Sequence, residues 1–299
     1  MNKTQKGILY ASLTAVISGF SILYSKFAVV KMDPLVLTTS RNLFVGLLFI
    51  FLITIMGGWG EVRKLGKKQT LSLGIIALIG GAIPFYLFFS GLKLISALTA
   101  NIIHKSMFVW AGALAVIMLK EKISLPFVLG FGAIVISQLI IGGLLPSISA
   151  GSMMVLGATL FWSLEQIIAK KTLESVSPRL VGLARMGGGS LFLLFATAAS
   201  GKLSLLPFHN PSQLLTVGIG GALLFFYVYF WFKALSLAPV TVVSLVLTGA
   251  TVVGALLTGL FVPLPIPVKD MAVYTGILGG IAVAVSAAWY RLGYVGDTS

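Results

Sequence analysis

The chain has 299 residues, 58% of them hydrophobic and 9% charged, whereas soluble domains carry roughly a quarter charged residues, so it lacks the polar surface needed to cover a water-soluble globule. Its net charge of +14 comes from Lys and Arg scattered at the ends of apolar runs, with no aromatic-interleaved basic patch, which argues against a nucleic-acid partner. The absence of cysteine excludes a disulfide framework, thiolate metal sites and cysteine nucleophiles.

Apolar runs fall at 7–30, 35–56, 70–92, 97–118, 125–143, 149–170, 179–199, 212–234, 240–260 and 270–290, separated by Pro, Gly or charge clusters. Each is long enough for a hydrocarbon core of ~30 Å. The expected fold class is all-α integral membrane, with ten transmembrane helices.

Span 1 follows Lys3 and Lys6 and shows no small-residue cleavage site, so it reads as a retained span and not a signal peptide. Thr14, Ser18, Ser21 and Ser25 form a polar stripe on it. Span 2 opens on Pro34 and carries Arg41. In span 3, Pro84 removes a backbone donor and is expected to kink the helix as a gate, and Tyr86 beside it is an aromatic cavity candidate.

Span 4 carries Asn101, His104, Lys105 and Phe108 at i, i+3, i+4 and i+7, hence on one face. An amide, an imidazole and an ammonium do not face lipid, so this stripe is expected to line a cavity, with Lys105 as an anchor for a substrate carboxylate.

An ionisable group at mid-span costs at least ~2.5–3.5 kcal/mol and must meet a partner or a wet cavity. Glu165 in span 6 is the one acidic residue well inside a span, beside Gln166 and one turn from Trp162. Two readings stay open: a proton-coupling or cation-binding group, and a structural ion pair with Arg185 of span 7. Span 8 is aromatic, with Tyr229 as a further cavity candidate. Thr241, Ser244, Thr248 and Thr251 stripe span 9 as a second expected cavity wall, with Ser244 and Thr248 as substrate-binding candidates, and Gly276 with Gly280 marks a close helix contact in span 10.

Positively charged short loops stay in the cytoplasm. The 57–69 loop, with Arg63, Lys64, Lys67 and Lys68, is the strongest such signal. With the N-terminus inside, the outer loops hold only Lys26, Lys31, Lys93, Lys202 and Lys269, so ten spans place both termini inside. The expected location is a prokaryotic cytoplasmic (inner) membrane.

Sliding the chain against itself by 144 residues lays Gly7 on Gly151, Lys26 on Lys170, Pro34 on Pro178 and Arg41 on Arg185; a shift of 143 lays Gly91 and Leu92 on Ala234 and Leu235. By the same registers Ser244 and Thr248 answer to Asn101 and Lys105, and Glu165 answers to Ser21. The halves are 1–146 and 147–299. Each holds five spans, an odd number, so the second enters the membrane inverted, the architecture of many secondary transporters.

These marks resemble the drug/metabolite transporter superfamily and its ten-span EamA-type members, over almost the whole chain. Phe161, Trp162 and Ser163 followed by Lys170, Pro178 and Arg185 are similar to that family's first-helix aromatic pair and its Lys, Pro and Arg; the first half keeps Gly19, Lys26, Pro34 and Arg41 but has Ser18 in place of the Trp. The run from Ala100 through Leu119, Lys120, Glu121 and Lys122 to Gly130 resembles the family's fourth span and its acidic turn. The equivalent turn, Phe261 to Pro265, has lost the Glu, and Phe108 and Thr251 stand where the family often has proline. The resemblance implies export or exchange of small organic solutes driven by gradients, with spans 1–4 and 6–9 around the site and spans 5 and 10 supporting it.

No P-loop, HExxH or GxSxG motif is present, and no cofactor or metal is expected. The expected function is a secondary active transporter, an exporter of small organic metabolites such as amino acids, working by alternating access. Its partners are a small solute, the lipid bilayer and a proton or counter-substrate. The alternatives are a proton-coupled multidrug or organic-cation exporter and, in a different class, an uncoupled channel or lipid scramblase.

Overall fold

A computed structural model describes residues 1–142, 148–261 and 268–293, which are helical apart from short connections. Eight helical stretches are long and apolar enough to cross a membrane: Lys3–Lys31, Pro34–Ile55, Lys67–Leu94, Ala97–Leu119, Ala150–Thr172, Pro178–Ala199, Pro211–Leu237 and Val240–Leu257. The expected fifth and tenth spans appear as the shorter apolar segments Leu125–Ser137 and Val273–Ser286. Large side chains such as Ile117, Phe195 and Leu260 point outwards, the surface a bilayer covers and water would not. The expected boundary at 146/147, the 262–265 turn and the C-terminal end lie outside the described residues.

In chain order the helices are α1 (Lys3–Lys31), α2 (Pro34–Ile55), α3 (Lys67–Gly81), α4 (Ile83–Leu94), α5 (Ala97–Lys105), α6 (Met107–Leu119), α7 (Leu125–Gly142), α8 (Ala150–Thr172), α9 (Pro178–Leu183), α10 (Gly189–Ala199), α11 (Pro211–Leu237), α12 (Val240–Val246), α13 (Gly249–Phe261) and α14 (Val268–Gly293), with a π turn at Ala184–Gly188 joining α9 to α10. Pro34 and Pro178 each sit in the first turn of their helix, where the missing N–H costs no hydrogen bond.

The repeat marks have a physical role. A helix end leaves its last carbonyls without donors, and apolar surroundings supply none. Lys26 Nζ donates to the carbonyls of Leu92 (2.8 Å) and Ile95 (2.6 Å) at the end of α4. Lys170 Nζ donates to those of Leu235 (2.6 Å) and Ala238 (2.9 Å) at the end of α11. Each lysine therefore closes the C-terminus of the third span of its own half.

Gly7 on α1 packs so closely on Ala238 that an added Cβ would fall 2.6 Å from that residue's Cβ, and Gly151 on α8 packs in the same way on Leu94 and Ile95. Span 10 meets span 5 through its glycines: Gly280 lies against Gly130 and Gly276 against Ser137, so α14 runs along α7.

Acidic side chains close helix N-termini across connections. Glu121 follows Lys120, whose left-handed backbone (φ 55°) ends α6. Its carboxylate accepts from the N–H groups of Val240 (2.7 Å) and Thr241 (3.0 Å) and from the Thr241 hydroxyl (2.8 Å). Glu61 accepts from the Ser177 N–H at 2.6 Å. Asp33 accepts from Leu35 and Val36 at the start of α2 and binds Lys202 Nζ at 2.8 Å.

Partial burial pushes the Asp33 carboxyl up, but the Lys202 hydrogen bond, the two backbone donors and the Lys202 charge outweigh it and hold the group below its ordinary value. Asp33 therefore contributes stability above its unfolded pKa, and that contribution is lost as pH falls through the lower folded value. Lys202→Met is expected to lower the melting temperature at neutral pH by about one degree, the scale of an exposed pair. The difference should close on acidification; one that persists once Asp33 is protonated would assign the effect to packing.

Candidate functional site

Pro84 sets the site. Having no N–H, it leaves the carbonyl four residues earlier, that of Gly80, without a helical donor, and the span breaks at Ala82 (φ −114°, ψ −76°) between α3 and α4. Two side chains from the second half take that carbonyl: Trp162 Nε1 at 2.9 Å and Arg185 Nε at 3.2 Å. Asn42 Nδ2 takes the next one, that of Gly81, at 2.7 Å. Arg185 lies in the π turn, an irregularity frequent at functional sites, and a Cβ on Gly81 would collide with the Arg185 carbonyl. The kink expected from Pro84 is thus a docking point between the halves.

Around this junction lies a cavity lined by Ser18, Ser21, Ile22 and Ser25 of α1, Arg41 of α2, Phe85, Phe88 and Phe89 of α4, His104 of α5, Met107 of α6, Trp162, Glu165 and Gln166 of α8, Arg185, and Leu224, Tyr227 and Trp231 of α11. Both halves contribute walls; α7 and α14 contribute none among the described residues. The walls are aromatic: the Trp162 ring lies 5.0 Å from His104, 5.2 Å from Phe85 and 5.5 Å from Phe88. Arg185 lies over Phe85, Trp162 and Phe232, and Arg41 over Phe89 at 4.8 Å, contacts that favour a cation at a desolvated ring face.

Glu165 and Arg185 meet with Nη1 3.7 Å from Oε2, both buried. That is an ionic contact too long to be a hydrogen bond, and neither carboxylate oxygen has a hydrogen-bond partner. The pair and the cavity position therefore coexist. Both polar atoms of the Gln166 amide and the Nδ1 of His104 are likewise buried without partners. Such groups are costly unless something fills the space beside them.

Of the residues expected at the site, His104, Trp162, Glu165, Gln166 and Arg185 come together here, whereas the others lie elsewhere. Span 4 is interrupted at Ser106, which splits the expected single face. Asn101 lines a separate small cleft with Gly19, Leu23, Leu98 and Gly254, and the Phe108 ring packs at a tilt on Phe131 of α7, centroids 4.8 Å apart. Lys105 is fully buried behind the wall and donates to Ser18 Oγ at 2.8 Å. Ser244 and Thr248 spend their hydroxyls on the carbonyls of Val240 and Leu245, the local bonding these residues favour in helices, and neither lines the cavity. Tyr86 is 42% exposed on the outer surface, and Tyr229 stacks on Phe225 beneath Lys233.

The cavity also holds Arg41, Phe88 and Phe89, which the sequence does not mark as site candidates, and two of the span 8 aromatics, Tyr227 and Trp231. Arg41 carried the signal, an arginine seven residues into an apolar span, and was used only as a register mark.

The EamA-like transporter family pattern matches this sequence twice, over residues 5–143 and 149–286. The chain belongs to the EamA-like transporter family. It is a multi-pass membrane protein of a family that transports small solutes. No curated protein matches it. Among solved structures, one titled only as the crystal structure of a protein superposes with a TM-score of 0.74 at 17% identity, over 94% of this chain and 98% of that one; at that identity the likeness speaks for the fold alone.

Pro84→Ala restores an N–H opposite the Gly80 carbonyl, in competition with Trp162 and Arg185. Despite removing a helix breaker, it is expected to lower stability by about 1 kcal/mol and to shift tryptophan emission. The emission shift should vanish in a Trp162→Phe background; a spectrum identical to wild type would remove Gly80 from the account of the site.

Proposed function

We propose that this EamA-like protein is a secondary carrier of small organic solutes bearing a carboxylate, amino acids among them, that works by alternating access. The observation that carries this reading is the cavity between the halves, walled by aromatic rings and edged by buried polar atoms without partners. A cavity with an apolar lining and a few convergent polar groups is the usual form of a small-molecule site.

The carrier mechanism is read from ten spans in two inverted five-span halves, 1–146 and 147–299. Its support is the pairing of ends. The N-terminal end of α1 (Gly7) and the C-terminal end of α8 (Lys170) both lie at Ala238. The C-terminal end of α1 (Lys26) and the N-terminal end of α8 (Gly151) both lie at Ile95. Equivalent helices that run in opposite senses about one cavity can exchange roles, opening it first to one side and then to the other.

Both termini are assigned to the cytoplasmic side. The Glu61 to Ser177 and Glu121 to Val240 contacts join connections that the charge count puts inside, and Asp33 to Lys202 joins two it puts outside. Glu165 is the proposed coupling group: it borders the cavity, and its one counter-charge is the loose contact with Arg185.

Uptake and counterflow into proteoliposomes with labelled amino acids, organic cations and sugars test the carrier. Saturable flux and trans-stimulation are expected for a carboxylate-bearing solute, and flux without saturation or exchange for every solute would sink the proposal. Glu165→Gln should flatten the pH dependence of that flux, an unaltered proton dependence leaving Glu165 a purely structural partner of Arg185.

A further inference from the structure

The two halves treat their matching arginines differently. Arg41 and Arg185 hold equivalent places, each seven residues after the proline that opens its helix. Arg185 has Glu165 as counter-charge and the Gly80 carbonyl as acceptor. In the first half, the residue matching Glu165 is Ser21. Arg41 is 1% exposed and borders the cavity. Its Nη1 donates to Ser25 Oγ at 2.9 Å, its Nε has no partner, and among the described residues no carboxylate reaches it. A guanidinium carries five donors in a planar fork and does not lose its proton, so a charge is buried here with most of its hydrogen-bonding capacity open.

The surroundings add no compensation. The buried charged residues among those described are Arg41, Lys105 and Arg185 against Glu165 alone. Lys105 stands behind Ser18, and Glu165 meets Arg185 in an ionic contact at 3.7 Å. The described buried charges therefore sum to a positive excess, with Glu165 set against Arg185 and no described acid beside Arg41. The missing Cβ of Gly220 lets the Arg41 side chain lie close against α11, since a Cβ there would come within 3.3 Å of Arg41 Nε.

Resting on the carrier reading, we propose that Arg41 is the seat of the solute's carboxylate and that the site takes organic carboxylates of net negative charge, their apolar body lying among the cavity's rings. The fork donates to the two carboxylate oxygens through parallel charge-assisted bonds. Ser25 fixes the guanidinium from one side and Phe89 from below, so little ordering is left to be done on binding. Lys105, one layer behind, adds positive potential without touching the solute.

The test uses the purified full chain in lipid nanodiscs, with the fluorescence of its tryptophans, Trp162 and Trp231 in the cavity wall among them, as the reporter. The probes are 3-phenylpropionate, its amide, the matching amine 3-phenylpropylamine, and phenylalanine. The acid is expected to give a saturable response, at least about tenfold tighter than the amide or the amine, and to need no α-ammonium. Arg41→Gln should bring acid and amide to equal affinity while the amide response stays, whereas a purely structural arginine would weaken both alike.

The wild-type panel decides even where the variant does not fold. An acid that gives no saturable response, binds no better than the amide, or binds only when it carries the ammonium of phenylalanine overturns the proposal, as does an Arg41→Gln protein that keeps the acid preference. Acid binding without counterflow would instead remove the carrier and leave the seat standing.

Discussion

Hydrocarbon offers no hydrogen-bond partners, and that constraint governs how this chain uses its few charged groups. Only 7 of 299 residues are acidic, and those whose contacts are described mostly satisfy backbone. Asp33, Glu61 and Glu121 receive N–H groups at the starts of α2, α9 and α12. Lys26 and Lys170 supply donors to the carbonyls that end α4 and α11. Arg185 and Trp162 replace the donor that Pro84 withholds. Charge in this protein therefore does in the bilayer what water does at the helix ends of a soluble protein.

Against so strict a rule, the exceptions locate function. Nine described side-chain atoms are buried without hydrogen-bond partners; six of them, on Glu165, Gln166, His104 and Arg41, belong to residues that border one cavity, and the other three, on Asn42, Asn101 and Ser177, lie away from it. Elsewhere in the membrane part a hydroxyl turns back to its own helix, as Ser244 and Thr248 do. A polar group that is neither turned back nor bonded across a helix contact has its energy accounted for only when the cavity is occupied.

The frame was legible in the sequence because a charge or a proline in an apolar run is conspicuous and its depth can be counted. Lys26, Pro34 and Arg41, recurring as Lys170, Pro178 and Arg185, fixed the register of the halves, and contacts at the ends of α4 and α11 repeat in that register. The site was legible only in part. Helical spacing tells which side chains share a face, but not toward which neighbour that face turns: on α5 alone Asn101, His104 and Lys105 meet three different surroundings, and Phe108, beyond the break at Ser106, meets α7. Composition likewise cannot say whether a hydroxyl faces a cavity or its own backbone, which is why the span 9 stripe read as a wall. Arg41 was missed because a residue that serves as a register mark carries no sign of what it borders.

Duplication alone would have produced two equal sites, and the departures from it give the cavity one polarity. The first half breaks its third span at Pro84 and the second keeps α11 continuous; the second winds a π turn around Arg185 and the first keeps α2 regular around Arg41. Break and π turn meet each other, with Gly81 against Arg185 and Gly189, so at that end the backbones are in direct contact and the arginine is tied to a carbonyl and an acid. At the other end Arg41 lies against Gly220 and borders the cavity, with a serine as its one hydrogen-bond partner among the described residues. On the proposed carrier reading, a solute that needs a cation is met by a held charge on one side and an available one on the other, and that difference sets its resting place.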